Sequence, residues 1–287
     1  MDNNLPQLKS LVNNKEIKSR VVAMLGDKDS ALFLNSILSV VTAGSLQDCE
    51  PTSVVSCALR SCSLGLSIDP AMGLAYLVGY KDKEGKKICT LQIGVGGYIA
   101  LAMRSGSLEH FFVSEIYQDE LKKCIPALNL FEFNETQSEE RYKATAEPIG
   151  YYAEFKTLKG FIAKVYMTKS QMEKYRDQYS KSYKMKPSTS LWTTEFVKMC
   201  KKTIARQLLW RYRGVFSIST QSQLYEATAA DDNSENIIDN LDNEIPEEKK
   251  AKGRKINVPQ GDIIDAVVAD KEEAEKEKSE ELEAFGN

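Results

Sequence analysis

LAYLVGYKDKEGKKICTLQIGVGGYIALAMRSG, residues 74–106, decides how the rest of the chain reads. Two apolar runs, LAYLVGY and KKICTLQIG, flank the polar, glycine-containing KDKEG, and that pattern predicts a β-hairpin. GYIALAMRSG follows as a short helix stopped by Gly106. Strands therefore alternate with helices from the first third of the chain onward. Gly94, Gly96 and Gly97 stand between strand and helix, where a dinucleotide-binding turn would lie. The fingerprint GxGxxG starting at Gly94 would need a glycine where Ile99 stands, so close backbone packing or a tight turn is expected instead.

Upstream, the first 45 residues read as two helices. In the second, Asp29 is a candidate cap, and Ala31, Leu34, Ile37, Leu38 and Val41 recur at helical spacing. Thr52 or Ser53 can open the next helix, SVVSCALRSCSLGL, with Gly65 as its left-handed stop. Downstream, FFVSEIY reads as a strand and residues 118–148 as an irregular polar excursion. GYYAEFKT and GFIAKVYMT form a second hairpin around LKG, with Ile162, Lys164 and Tyr166 on its wet face. Thr168 with Gln171 makes a capping box for a helix to about Lys181. KMKPSTS is a loop, and LWTTEFVKMCKKTIARQLLWRYR is the longest clear helix.

The chain has 287 residues, 42% of them hydrophobic, and a net charge of −3. That sum hides two unlike parts. Residues 231–287 hold 18 acidic and 8 basic residues, whereas residues 1–230 hold 30 basic and 23 acidic. A basic body with an acidic extension points to a nucleic-acid or membrane partner. After about Ala230 no core-forming period remains, so residues 1–230 are expected to be the folded core. Residues 231–287 are expected to be a flexible tail with a short helix near 262–284. The tail has two readings: a solubilising extension, or a segment that docks on a partner or shields the basic surface.

No apolar stretch reaches the length of a membrane span, and MDNNLPQLKS lacks the apolar core of a signal peptide. The six cysteines form no CxxC pair and the single histidine is His110, so no zinc site is expected; free thiols fit a reducing cytoplasm. There is no GxxxxGK[ST] phosphate loop.

The strongest chemical signal lies between Lys156 and Arg213. This stretch holds 15 Lys or Arg against three acids, with nine aromatics interleaved. At about 100° per residue, Lys198, Lys201, Lys202 and Arg206 share one arc of the long helix. Such a row suits a phosphate backbone, and interleaved aromatics suit stacking on exposed bases. A competing reading is a metal-dependent nuclease built on Glu154 and Lys156, with Asp69 and Asp119 upstream.

Four segments in order resemble the RecT family of phage single-strand annealing proteins. They are SCSLGLSIDPAMGLAYLVGY, CTLQIGVGGYIALAMRSG, GYYAEFKTLKGF with MTKSQMEKYRDQYSK, and LWTTEFVKMCKKTIARQLLW. The match runs from about Val54 to Arg213. The family usually carries an aromatic and a basic residue where Val95 and Gly96 stand, and often two arginines where Arg206 and Gln207 stand. A contact made by that basic residue would be missing here or supplied by Lys86, Lys87 or Arg104.

The resemblance implies an α+β fold, with a hairpin-rich antiparallel sheet packed with helices around a basic DNA groove. It implies ATP-independent binding and annealing of single-stranded DNA by an oligomeric ring or filament, in which residues 1–50 are expected to make subunit contacts. It also implies no bond-making chemistry and no required cofactor; magnesium would be compatible but leaves no ligand signature. Partners would be single-stranded DNA and the annealed duplex, a phage 5′-to-3′ exonuclease and the host single-strand binding protein, in the cytoplasm of a bacterial host. On the matching segments Arg104, Gln92 and Tyr98 are candidate DNA contacts beside Lys198, Lys201, Lys202 and Arg206, with Lys164 and Tyr166 on the second hairpin. A passive coat of single strands is the remaining alternative.

Overall fold

The computed structural model describes residues 4–43, 46–81, 85–125, 130–134, 139–143 and 146–239. The chain divides into Met1–Asn243 and Glu244–Asn287. The second unit, and with it the helix expected near 262–284, lies outside the described residues.

Helix α1 (Leu5–Val12) precedes α2 (Lys15–Ala43). The second is broken at Gly26, whose φ of 77° only glycine adopts without strain. The N-terminal region is therefore three helical stretches rather than two. Ile37 and Val41 are buried and Leu34 and Leu38 half-buried as their spacing predicts, whereas Ala31 is exposed and Phe33, outside that set, is buried.

Helix α3 (Pro51–Ser63) opens on Glu50 with Pro51 in the first turn, not on a Thr52 or Ser53 cap. Ser53 instead donates to the Glu50 carbonyl and accepts from the Cys89 amide at 2.9 Å, joining the helix to the hairpin. At the other end Gly65 adopts φ +60°, and Leu66 N–H bonds back to the Ser61 carbonyl, as the left-handed stop requires.

The hairpin of residues 74–93 forms as read: β1 (Ala75–Lys81) pairs antiparallel with β2 (Lys87–Ile93). Helix α4 (Val95–Arg104) follows and stops at Gly106, with φ +66°. A Cβ at Gly94 or Gly97 would strike the backbone carbonyl of Gly73 or Leu74. That close approach of two main chains is why glycines fill this turn without a nucleotide to bind.

Strand β3 (Leu108–Ile116) is followed by a small hairpin, β4 (Leu121–Ile125) with β5 (Leu130–Phe133), inside the stretch read as irregular. Next come β6 (Gly150–Thr157) and β7 (Ile162–Thr168), the second predicted hairpin. Strands β3, β6 and β7 form one antiparallel sheet in that order. The fold is thus α+β with small antiparallel sheets.

Helix α5 (Lys169–Tyr179) opens on the full capping box: Thr168 Oγ accepts from Gln171 N–H, and the Gln171 side chain accepts from Thr168 N–H. Two short helices, α6 (Lys181–Met185) and α7 (Leu191–Thr194), lead into α8 (Phe196–Arg211). Helix α8 is central: Cys200, Thr203, Ile204, Ala205, Leu208 and Leu209 are buried, and it packs on β6, β3, β7 and α4.

Helix α9 (Ile218–Asp239) closes the described chain. It continues past Ala230, so the acidic segment expected to be a flexible tail from residue 231 is helical through Asp239. One carboxylate explains why the helix does not stop where the composition changes. Asp231 is 3% exposed and accepts from Ile93 N–H at 2.9 Å, Tyr98 O–H at 2.6 Å and the Lys202 ammonium at 2.8 Å.

Candidate nucleic-acid interface

Strand β7, helix α5 and the C-terminal half of α8 enclose a groove of about 580 Å³. Strand β7, at the edge of its sheet, contributes four consecutive residues, Lys164, Val165, Tyr166 and Met167, so both of its faces border the groove. Helix α5 contributes Gln171, Lys174, Tyr175, Gln178 and Tyr179. These positions follow i, i+3, i+4, i+7, i+8 and therefore form one stripe of the helix. Helix α8 adds Gln207 and Arg211, and Tyr212 follows it. Among the described residues no carboxylate lines this groove. Lys164, Lys174 and Arg211 supply three cations, and four tyrosines supply flat faces with polar tips.

The floor is rigid because the aromatics rest on one another. Tyr175 lies 4.8 Å from Tyr179, ring centre to ring centre, and 6.4 Å from the buried Trp192, which in turn packs on Phe196. Tyr179 remains 50% exposed, with a ring face available. The Tyr175 hydroxyl accepts from Arg206 at 2.8 Å, so Arg206 reaches the groove through that tyrosine. Burial pushes the Tyr166 hydroxyl up to about 12, so it stays a neutral donor.

Lys164 sits at one end of a network on the sheet face. Its ammonium is 3.4 Å from Glu154, which also accepts from Tyr152 O–H at 2.5 Å and lies 3.1 Å from His110 Nε2. Burial pushes the Glu154 carboxyl up, but Tyr152, His110 and Lys164 outweigh it and hold it below the usual carboxylate range. Lys156, the other member of the nuclease reading, pairs instead with Glu109 at 2.7 Å. Lys174 and Arg211 have no carboxylate partner among the described residues.

The remaining predicted residues lie elsewhere, and most are already engaged. Lys198 is exposed and pairs with Glu195 one turn back at 2.8 Å. Lys201 pairs with Glu115, which Arg141 also contacts at 3.3 Å. Burial raises the Glu115 carboxyl, but Lys201 and Arg141 outweigh it and hold its pKa below the usual carboxylate range. Lys202 is held by Asp231. Tyr98 is 1% exposed; its place is in the core as a donor to Asp231, not at a DNA surface. Gln92 donates to the Tyr80 hydroxyl at 2.6 Å.

Arg104 donates to the carbonyls of Leu64 and Gly65 at 2.6 and 3.0 Å, capping α3 with a cation where the helix dipole favours one. Lys86 and Lys87 face Glu50 and Asp48. The single arc of four cations is therefore not a free row. Two of its members neutralise internal carboxylates, and the groove uses a different stripe of α8, that of Gln207 and Arg211.

Tyr175, Tyr179 and Tyr212 belong to the interleaved aromatics read as suited to stacking; the groove residues that sequence reading did not single out are Lys174, Arg211 and the three glutamines. The stripe on α5 was present in the sequence, but it is a stripe of polar and aromatic side chains. A search for apolar periodicity does not register it.

The family model of the RecT family matches residues 31–244. The chain belongs to the RecT family. It is 31% identical to the uncharacterized protein YqaK of Bacillus subtilis (strain 168) over 279 residues, covering 97% of this chain and 86% of that one. It is 27% identical to the protein RecT of Escherichia coli (strain K12) over 245 residues, covering 82% and 84% of the two. The RecT family is one of recombination proteins with a single-strand DNA annealing role. Among the described residues no helix is long and apolar enough to cross a membrane.

Proposed function

We propose that this chain binds single-stranded DNA along the groove of β7, α5 and α8 and pairs it with a complementary strand without ATP. The observation that carries this reading is the acid-free lining. Three cations, four tyrosines and three glutamines face a common groove in a chain whose acids elsewhere pair with its cations. Lys174 and Arg211 neutralise phosphates, and each such contact releases counterions; Lys164, shared with Glu154, lies beside them. Tyr179 and Tyr175 offer stacking faces that do not depend on base identity. No bond is made or broken. Base pairing drives the reaction, and the protein lowers repulsion between strands and the cost of searching for register.

The protein acts as an oligomer, ring or filament, so that one strand runs over several such grooves, with residues 1–50 contributing subunit contacts. Its partners are a phage 5′-to-3′ exonuclease and the host single-strand binding protein, in a bacterial cytoplasm. The acidic segment beyond the described residues either solubilises the assembly, or docks on a partner or shields basic surface when DNA is absent.

The test mixes labelled complementary strands with the full chain in the absence of nucleotide triphosphates, with and without magnesium. Faster duplex formation supports annealing. Slower pairing would mean a passive coat, and shortened strands would revive a nuclease using Glu154.

A further inference from the structure

Three thiols meet where α3 packs on the first hairpin: Cys57 on the helix, Cys89 on β2, and Cys49 just before the helix, its sulfur against Gly79 of β1. The Cys57 thiol donates to the Cys89 carbonyl at 3.3 Å, which places it against that residue of β2. They differ in kind. Cys57 is half-buried, and Cys89 is 5% exposed with its Sγ 3.8 Å from the Thr90 carbonyl.

The interaction with Cys89 lowers the Cys57 thiol; burial opposes it, and Arg60, one turn along the helix, adds to it. Cys89 is driven the other way, first by Cys57 and then by burial. Burial raises the other four: Cys62 to about 11, Cys200 to about 12, and Cys49 and Cys124 in the same direction. Cys57 alone of the six combines partial exposure with a favoured thiolate, and a second thiol stands behind it. That is the arrangement of an attacking and a resolving cysteine.

We propose that Cys57 and Cys89 form a peroxide-reactive dithiol, and that oxidation joins them in a disulfide stapling α3 to β2. The Cys57 thiolate attacks one oxygen of hydrogen peroxide. An S–O bond forms, the O–O bond breaks, and the departing hydroxide takes up a proton as water. The Cys89 sulfur then attacks Cys57, the S–S bond forms, the S–O bond breaks, and the Cys89 proton leaves with the second hydroxide. Two thiols are oxidised and one peroxide is reduced to two waters. The staple joins elements already tied by the Ser53 bond to the Cys89 amide.

The experiment treats the full chain with a small excess of hydrogen peroxide and counts thiols after denaturation, then maps linked peptides by mass spectrometry. The expected result is a fall from six thiols to four, a Cys57–Cys89 peptide, and return to six with dithiothreitol. In Cys57→Ser the linked peptide should be absent and the remaining thiols should persist. In Cys89→Ser, Cys57 should accumulate as sulfenic acid, trapped by dimedone. Six surviving thiols in the treated wild type, or a linkage through Cys49 in place of either residue, would overturn the proposal. The wild-type peptide map reads this directly, even if a variant fails to fold.

Discussion

Two regions of this molecule draw on the same cationic stretch and use it in opposite ways. Around Asp231, Lys202 is enclosed with a carboxylate, a tyrosine and a backbone amide, and its charge is consumed in holding α9 to α4, α8 and β2. In the groove, Lys174 and Arg211 meet no carboxylate among the described residues and face tyrosines and glutamines. A lysine is therefore not informative by itself. What assigns it to the fold or to a ligand is the position of the nearest acid, which in the first case lies 29 residues along the chain.

The comparison can be broken most sharply at Asp231. Asp231→Ala strands the Lys202 ammonium and the Tyr98 hydroxyl in the core. A loss of about 3–5 kcal/mol is expected, as for a buried pair deprived of one member, read by thermal or urea unfolding. An unchanged midpoint would show that α9 is not held there. The groove responds in the other observable. Lys174→Ala with Arg211→Ala should lower the slope of log affinity against log salt by about 2 in a single-strand binding titration, and leave the unfolding midpoint in place. If stability falls while the slope holds, the two regions have been assigned the wrong way round.

A smaller binding effect is expected at Tyr179, whose half-exposed ring should contribute roughly 1–3 kcal/mol of stacking. Tyr179→Ala should weaken binding to every base composition alike, with the salt slope retained, whereas a loss confined to one base would contradict stacking.

Acid sharpens the internal side. Glu115 is held below the ordinary carboxylate range against the effect of its burial, so its stabilisation is complete above pH 4.5 and is lost as pH falls through the lower folded value. Glu115→Gln should flatten the dependence of stability on pH in that window; equal curves for the two proteins would dismiss the pairing with Lys201 and Arg141. Last and smallest, Lys198→Ala removes only an exposed pair with Glu195 and should leave the unfolding curve unchanged.

Much of the fold was legible because local chemistry and tertiary packing agree. The hairpins of residues 74–93 and 150–168, the capping box at Thr168 and the glycine stops at Gly65 and Gly106 are each specified within a few residues. Other features depend on distant groups. The hairpin β4–β5 packs through Phe131 and Phe133 on Tyr152 of β6, a contact that no local window contains. Helix α9 passes through an acidic run because a half-buried ammonium and two other donors meet one of its carboxylates.

The site was half legible for the same reason. Lys164 and Tyr166 follow from strand alternation. Arg104, Gln92 and Tyr98 came from a segment resembling the family and Lys201 and Lys202 from a shared helical arc, and their carbonyl, hydroxyl and carboxylate partners are visible only in three dimensions.

The position of Asp231 bears on how the acidic segment should be studied. A stop codon placed at residue 231, where the charge balance turns, would delete the anchor of α9 along with everything after it. Poor expression or lost annealing of such a protein would then be credited to a missing regulatory tail when the defect lay in the core. Ending the polypeptide after Asp239 leaves that anchor in place and removes most of the negative charge, so only this shorter deletion isolates the contribution of the acidic segment.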